Sequence, residues 1–202
     1  MSGFRRMLDG DKLKLEGIHF LLVDDNAHAL DIMAQVVLGF GVRNMTKVDS
    51  AAQARQAISR GGIDCVLTDA QMPGETGYAL TEWIRREAPE PMRYVPIVII
   101  TAHTPQSDVA LGRDLGANFT IAKPLVPRVL LQRLFWLSHE DRMFVQGETY
   151  AGPDRRFKRL GPPVGTEGRR CDDLTGEVGE ASQPNLSQSE IDALMKPAKV
   201  VL

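Results

Sequence analysis

Cysteine is scarce in this chain: among 202 residues only Cys65 and Cys171 carry thiols. Cys65 lies inside an apolar run and Cys171 in a polar stretch far from it. No disulfide framework can be drawn from the two, and a reducing cytoplasm is the expected setting. No Cys/His spacing of the zinc-binding kind occurs, and neither a Gly-x-Gly-x-x-Gly pattern nor a Walker phosphate loop is present. A formal net charge of −2 creates no overall field for nucleic acid or an anionic membrane surface. No apolar run approaches the roughly 18 residues that a membrane span needs. Met1 to Gly17 holds Arg5 and Arg6 but no apolar core, so it does not read as a secretory signal, and 1–16 reads as a polar leader.

What the chain does have is a regular alternation of short apolar runs with helical patterns. Ile18–Asp24, Val42–Val48, Ile63–Thr68, Val95–Ile100 and Phe119–Ala122 read as strands. Between them lie five helical stretches. Asn26–Phe40 has apolar residues at helical spacing (Ile32, Met33, Val36, Val37) and stops at Gly41. Ala51–Arg60 follows Ser50, a favourable cap residue. Gly77–Glu87, Gln106–Leu115 and Pro127–Leu137 complete the set. Strands and helices alternating at these lengths give an α/β fold, a doubly wound parallel sheet covered on both faces. Five units suggest the flavodoxin-like strand order 2-1-3-4-5 over residues 17–138. In that order ligands bind beyond the carboxyl ends of strands one and three, where the winding reverses.

The ends of the strands carry the chemistry. Strand one ends in Asp24-Asp25, strand three in Asp69, strand four in Thr101 and strand five in Lys123-Pro124. Singly, each has an ordinary reading: a cap, a turn former, a β-former or a solvated end. Together and in this order they resemble the receiver domain of two-component response regulators, over roughly residues 16–138. The resemblance implies a phosphoacceptor response regulator with Asp69 as nucleophile and phosphorylation site. It implies Mg²⁺ held by Asp25, Asp69 and the main-chain carbonyl of Gln71, with Asp24 acting through water. Such an ion answers the mutual repulsion of three carboxylates in one pocket. Thr101 and Lys123 are the expected catalytic and signalling partners of the phosphoryl group. A haloacid-dehalogenase-like phosphatase also uses a strand-end Asp, but it wants a second Asp two residues on, where Gln71 stands. Two departures from the receiver pattern matter. The switch position three residues before Lys123 holds Thr120 where receivers carry Tyr or Phe. The residues two beyond Asp69 and Thr101, which flank the path of hydrolytic water in the family, are Gln71 and His103.

Beyond residue 139 the composition shifts. Residues 140–202 hold seven Gly and five Pro with few large apolar side chains, so 139–185 reads as a disordered linker. No helix-turn-helix pattern follows, and the expected output is protein contact without a DNA-binding domain. Arg155, Arg156 and Arg159, with Arg169-Arg170, form basic clusters. Arg155 and Arg159 have the spacing of half a cyclic-di-GMP motif whose second half is missing. A degenerate receiver that binds a protein partner or cyclic-di-GMP without phosphorylation is therefore the alternative reading. Residues 186–196 form a short amphipathic helix. Ser187 and Glu190 make a capping box, Leu186 and Ile191 a hydrophobic staple, and Ile191, Leu194 and Met195 one apolar stripe. This segment resembles the N-terminal peptide of the flagellar motor switch protein, to which chemotaxis receivers bind. The partners implied are a histidine kinase or phosphotransfer protein, with no DNA and no membrane. The tail helix is expected to meet either a flagellar-switch-like partner or its own receiver, on the face formed by helix four, strand five and helix five. A flexible coil between the two would span on the order of 40 Å, so self-docking is geometrically easy.

Overall fold

The computed structural model describes residues 8–9, 12–139, 142–154 and 186–195. Five apolar runs form the strands β1 (His19–Val23), β2 (Asn44–Val48), β3 (Cys65–Asp69), β4 (Ile97–Thr101) and β5 (Phe119–Ala122). All neighbours are parallel, and the order is β2-β1-β3-β4-β5. Five helices connect and cover them: α1 (Ala27–Gly39), α2 (Ala51–Arg60), α3 (Gly77–Arg86), α4 (Gln106–Asp114) and α5 (Pro127–Ser138). This is the expected flavodoxin-like winding.

Side chains alternate across each strand, so one run of sequence supplies two cores. Leu21, Val23, Val66, Ile97 and Ile99 face α2 and α3, where Ala54, Ile58, Leu80 and Ile84 meet them. Phe20, Leu22, Leu67, Val98 and Ile100 face α1 and α5, against Met33, Val37, Leu130 and Leu134. Covering both faces makes β3 and β4 buried along their whole length. The polar groups these strands carry emerge only at their ends.

The helix starts differ in how they are capped. The Asn26 side chain accepts hydrogen bonds from the backbone N–H of His28 and Ala29, and Thr76 accepts one from Ala79. Ser50 stands at the N-cap of α2 with an extended backbone, yet its side chain makes no capping bond. The leader also differs from the expectation. Leu15 is buried and Leu13 packs beside it in the α1/α5 layer, because their spacing of two puts both on the same side of an extended chain.

Residues 142–154, read from composition as linker, form an ordered antiparallel hairpin of β6 (Phe144–Gln146) and β7 (Ala151–Pro153). Averaging composition over the whole tail hid a local anchor pattern. Phe144 stacks edge-on against Tyr94 at 4.7 Å, and the Arg85 guanidinium lies 5.7 Å from the Phe144 ring centre. Tyr150 is buried and its hydroxyl donates to the carbonyl of Pro153 at 2.6 Å. The hairpin covers Arg85, itself 1% exposed. Arg85 donates to the carbonyls of Arg93, Val95 and Gly116 and to Oδ1 of Asn118, at 2.6 to 3.0 Å. A buried guanidinium is tolerable because its donors are satisfied. Here it ties α3 to the loops that lead into β4 and β5.

The last described element is α6 (Gln188–Met195). Glu190 reaches back to accept from both the backbone N–H and the hydroxyl of Ser187, at 2.8 and 2.6 Å, and fixes the first turn. The helix packs against α4 and β5, with Ile191 fully buried. The side chains of Leu194 and Met195, the Arg155–Arg170 clusters and Cys171 lie outside the described residues.

Gly77 opens α3 beneath the end of β3. A Cβ there would stand 2.0 Å from the backbone oxygen of Asp69 and 2.9 Å from Oγ1 of Thr68. Backbone cannot yield as a flexible side chain would. Gly77→Ala is therefore expected to cost about 1–3 kcal/mol or more, read as a lowered urea midpoint. Gly39→Ala, which meets nothing within 4 Å, serves as the control and should be neutral to slightly stabilising.

Candidate functional site

The parallel register brings the strand ends together. Val23 pairs with Thr68, Asp69 with Ile100 and Thr101 with Ala122, so Asp24, Asp69, Thr101 and Lys123 all emerge at one edge of the sheet. Asp24 and Asp69 are almost wholly buried. Oδ1 of Asp24 accepts from the backbone N–H of Asn26 at 2.9 Å, and Oδ2 of Asp69 from that of Gln71 at 2.8 Å. Each carboxylate turns its remaining oxygen to one cation. Lys123 Nζ stands 2.5 Å from Asp69 Oδ1 and 3.0 Å from Asp24 Oδ2.

Electrostatics follow from this arrangement. Burial pushes the Asp69 carboxyl above its ordinary range, and the adjacent Asp24 adds to that. The Lys123 ammonium and the Gln71 N–H pull it back only in part. Burial pulls Lys123 down, but its bonds to Asp69 and Asp24 outweigh that and leave its pKa raised. The lysine is thus held as a cation by two acids, and Asp69 is an electron-rich oxygen pair short of positive charge. Cys65, at the opposite end of β3, is a buried thiol that burial keeps protonated.

The neighbouring residues complete the edge. Asn26 caps α1, which leaves Asp25 free of that duty; it is exposed at the rim, as is Gln71. Thr101 is buried, and its hydroxyl donates to the carbonyl of His103 at 2.9 Å while accepting from that residue's N–H at 3.1 Å. The Lys123 backbone N–H donates to the Thr101 carbonyl at 2.7 Å, so these two strand ends are bonded to each other. Thr120 is buried on the α4 side, and among the described residues its hydroxyl has no hydrogen-bond partner.

Tyr78 lies in the helical stretch Gly77–Glu87, where the sequence gives it no role beyond that of an apolar helix residue, and its position is more telling than that. A Cβ on Gly112 of α4 would lie 3.2 Å from Thr120 Oγ1 and 3.4 Å from Tyr78 Cε1. An aromatic ring from α3 thus closes the space beside the small residue at 120. Burial, with the field of Asp108, raises the Tyr78 phenol to about 12, against a smaller opposing effect of the Thr101 hydroxyl beside it. The signal available in the sequence was the pairing of a small residue at 120 with Gly112, but it needs the register to be read.

The donors suit a hard cation in kind. Asp24, Asp25, Asp69 and the Gln71 carbonyl are all oxygen ligands, the set that Mg²⁺ prefers, and the buried Asp69 is under-compensated. Among the described residues no three acidic, His or Cys side chains are already gathered as a metal cluster; Lys123 supplies the positive charge between Asp24 and Asp69. No described helix is long and apolar enough to cross a membrane.

Comparison with known proteins agrees with this geometry. The family model described as the response regulator receiver domain matches residues 20–135. The chemotaxis protein CheY of Pseudomonas aeruginosa is 27% identical over 114 residues, covering 56% of this chain and 90% of that protein. The transcriptional regulatory protein GltR of the same species is 31% identical over 124 residues, 60% of this chain; the match spans only 49% of that regulator, about half its length. Among solved structures, the receiver domain of a Pseudomonas aeruginosa sensor histidine kinase, with a magnesium ion coordinated in its active site cleft, is similar at a TM-score of 0.55. It is 31% identical and covers 61% of this chain and 99% of that one. With the sheet order, the aligned strand ends and the family match over more than half its length, this chain belongs to the response regulator receiver domain family.

Proposed function

We propose that this chain is a phosphoacceptor response regulator, phosphorylated on Asp69 and signalling through protein contacts. The observation that carries the reading is the Lys123 ammonium held between the buried carboxylates of Asp69 and Asp24. Such a pairing offsets part of the cost of burying the Asp69 carboxylate and supplies a mobile cation for the group it receives. In the proposed step, a carboxylate oxygen of Asp69 attacks the phosphorus of a phosphohistidine on a histidine kinase or phosphotransfer protein. The new O–P bond forms as the P–N bond breaks, and the imidazole nitrogen leaves with the electron pair. Lys123 then pairs with a phosphoryl oxygen, and the Thr101 hydroxyl donates to another. Asp25, Asp69 and the Gln71 carbonyl would hold Mg²⁺ directly, and Asp24 through water. When bound, the ion offsets negative charge on the transferring group. Gln71 and His103 would flank the water that later hydrolyses the acyl phosphate, a slow self-reaction and the chain's only turnover.

The proposed output is cytoplasmic and made without a DNA-binding domain, with α6 as the contact that resembles the flagellar switch peptide. The presence of Thr120 in place of the switch aromatic favours one second reading, a degenerate receiver that binds a protein or cyclic-di-GMP without accepting phosphate.

Acetyl phosphate with Mg²⁺ separates the two. The intact mass is expected to rise by one phosphoryl group, and Asp69→Asn should show no gain while keeping its circular dichroism. Labelling that survives Asp69→Asn would sink the assignment. Chelation of Mg²⁺ should reduce labelling to background. Asp25→Ala, which removes a direct ligand, should raise the Mg²⁺ concentration for half-maximal labelling by at least the roughly 10–100-fold that losing a mere supporting group costs a metal site. Lys123→Ala should still label, more slowly, and lose the conformational response, seen as the Trp136 fluorescence change on phosphorylation.

A further inference from the structure

The seat of α6 and the phosphorylation pocket share the same two pieces of backbone. The first is the loop after β4. Thr101, at its start, belongs to the pocket, and Thr104, three residues on, holds the entrance to α6. Leu186 donates its N–H to the Thr104 carbonyl, and the Thr104 hydroxyl donates to the Leu186 carbonyl, both at 2.7 Å. The second is the end of β5. Lys123 belongs to the pocket, and its neighbour Ala122 donates its N–H to Gln188 Oε1 at 2.8 Å. Gln188 Nε2 in turn donates to the Thr120 carbonyl at 3.3 Å. Farther along, Asp192 pairs with Arg133 of α5. Arg133 is 1% exposed and lies over the rings of Trp136 and Phe119, at 4.3 and 5.6 Å.

The loop that meets Leu186 begins with a turn closed by the Thr101 hydroxyl, which donates its single proton to the His103 carbonyl and accepts from the His103 N–H. A hydroxyl has one proton to donate. If Thr101 donates to a phosphoryl oxygen on Asp69, it releases His103, and the turn that presents Thr104 loses its tie. The same phosphoryl group draws Lys123 away from Asp24, at the strand end whose next residue back holds Gln188. Both anchors of the α6 entrance are therefore set for the unphosphorylated pocket.

We infer that docking of α6 on the α4–β5–α5 face and phosphoryl occupancy of Asp69 oppose each other, so that phosphorylation releases α6 and uncovers the Arg133 surface. The inference rests on the phosphoacceptor reading above. It assigns α6 the role of a resident occupant, one that closes this face to any other helix while the pocket is empty of phosphate. Linkage makes the effect reciprocal: undocking α6 must favour the phosphoryl state by the same factor.

The experiment uses the full chain with beryllofluoride and Mg²⁺ as the phosphoryl mimic. Binding is followed by fluorine NMR and the α6 amides by hydrogen exchange. Saturation is expected to speed exchange at residues 188–192 at least about fivefold, the lower end of ordinary coupling between sites. Asp192→Lys, which places a cation against Arg133, should undock α6 and tighten beryllofluoride binding by a matching factor. Unchanged or slower exchange at saturation would overturn the antagonism while leaving the phosphoacceptor reading standing. Failure of the chain to bind beryllofluoride with Mg²⁺ would overturn that reading, and the coupling with it. If Asp192→Lys weakens beryllofluoride binding, docking and phosphorylation cooperate and the inference is wrong in sign.

Discussion

Two buried carboxylates at the end of a parallel sheet cannot coexist as anions without a cation between them. At an effective dielectric of 20, two unit charges 4 Å apart interact by about 4 kcal/mol, a large share of any domain's net stability. The Lys123 ammonium answers that repulsion in this structure, and much of the fold exists to bring it there. Asp24 and Asp69 end strands that lie side by side, whereas Lys123 follows the outermost strand, two places from β3. The long side chain crosses that gap, and the Lys123 backbone is fixed by its bond to Thr101. Gly77 lets α3 approach so closely that Asp69 has a floor.

The two buried arginines show how the same residue type can be either permanent or conditional. Arg85 is satisfied by backbone carbonyls and an Asn side chain, all within the folded receiver, and the hairpin of β6 and β7 only covers it. Among the described residues Arg133 has Nε and Nη1 without hydrogen-bond partners and leans on two aromatic faces and one carboxylate from α6. Removing one partner of a buried ion pair leaves an uncompensated charge. Arg85 therefore belongs to the architecture, and Arg133 depends on what sits over it.

Much of this was legible in the sequence, for physical reasons that differ by element. The inner strands β1, β3 and β4 are buried on both faces, so they appear as largely apolar runs, and the polar residues at their ends stand out against them. That contrast made Asp24, Asp69, Thr101 and Lys123 readable before any coordinates. The α6 segment was readable because Ser187, Glu190 and Ile191 are bonded or packed within one turn. The hairpin at 144–153 was not, because its order comes from distant partners, Tyr94 and Arg85, and because Gly and Pro dominate its surroundings. Ser50 misled in the opposite direction: a good cap residue at the right place makes no capping bond. Tyr78 was missed because its meaning lies in the space left by Thr120 and Gly112, which are far from it in sequence.

The contact of Gln188 with β5 has a further consequence. β5 is the outer strand of the sheet, with no strand on its far side among the described residues. Its outward groups are the Thr120 carbonyl and the Ala122 N–H, two residues apart, and one side-chain amide of Gln188 accepts from the second and donates to the first. One residue of an added parallel strand would make the same two bonds with its own N–H and C=O. The glutamine thus imitates a fragment of a sixth strand and blunts an edge that would otherwise template pairing with another chain. Whatever carries α6 away also leaves these two backbone groups of β5 without the glutamine that pairs them.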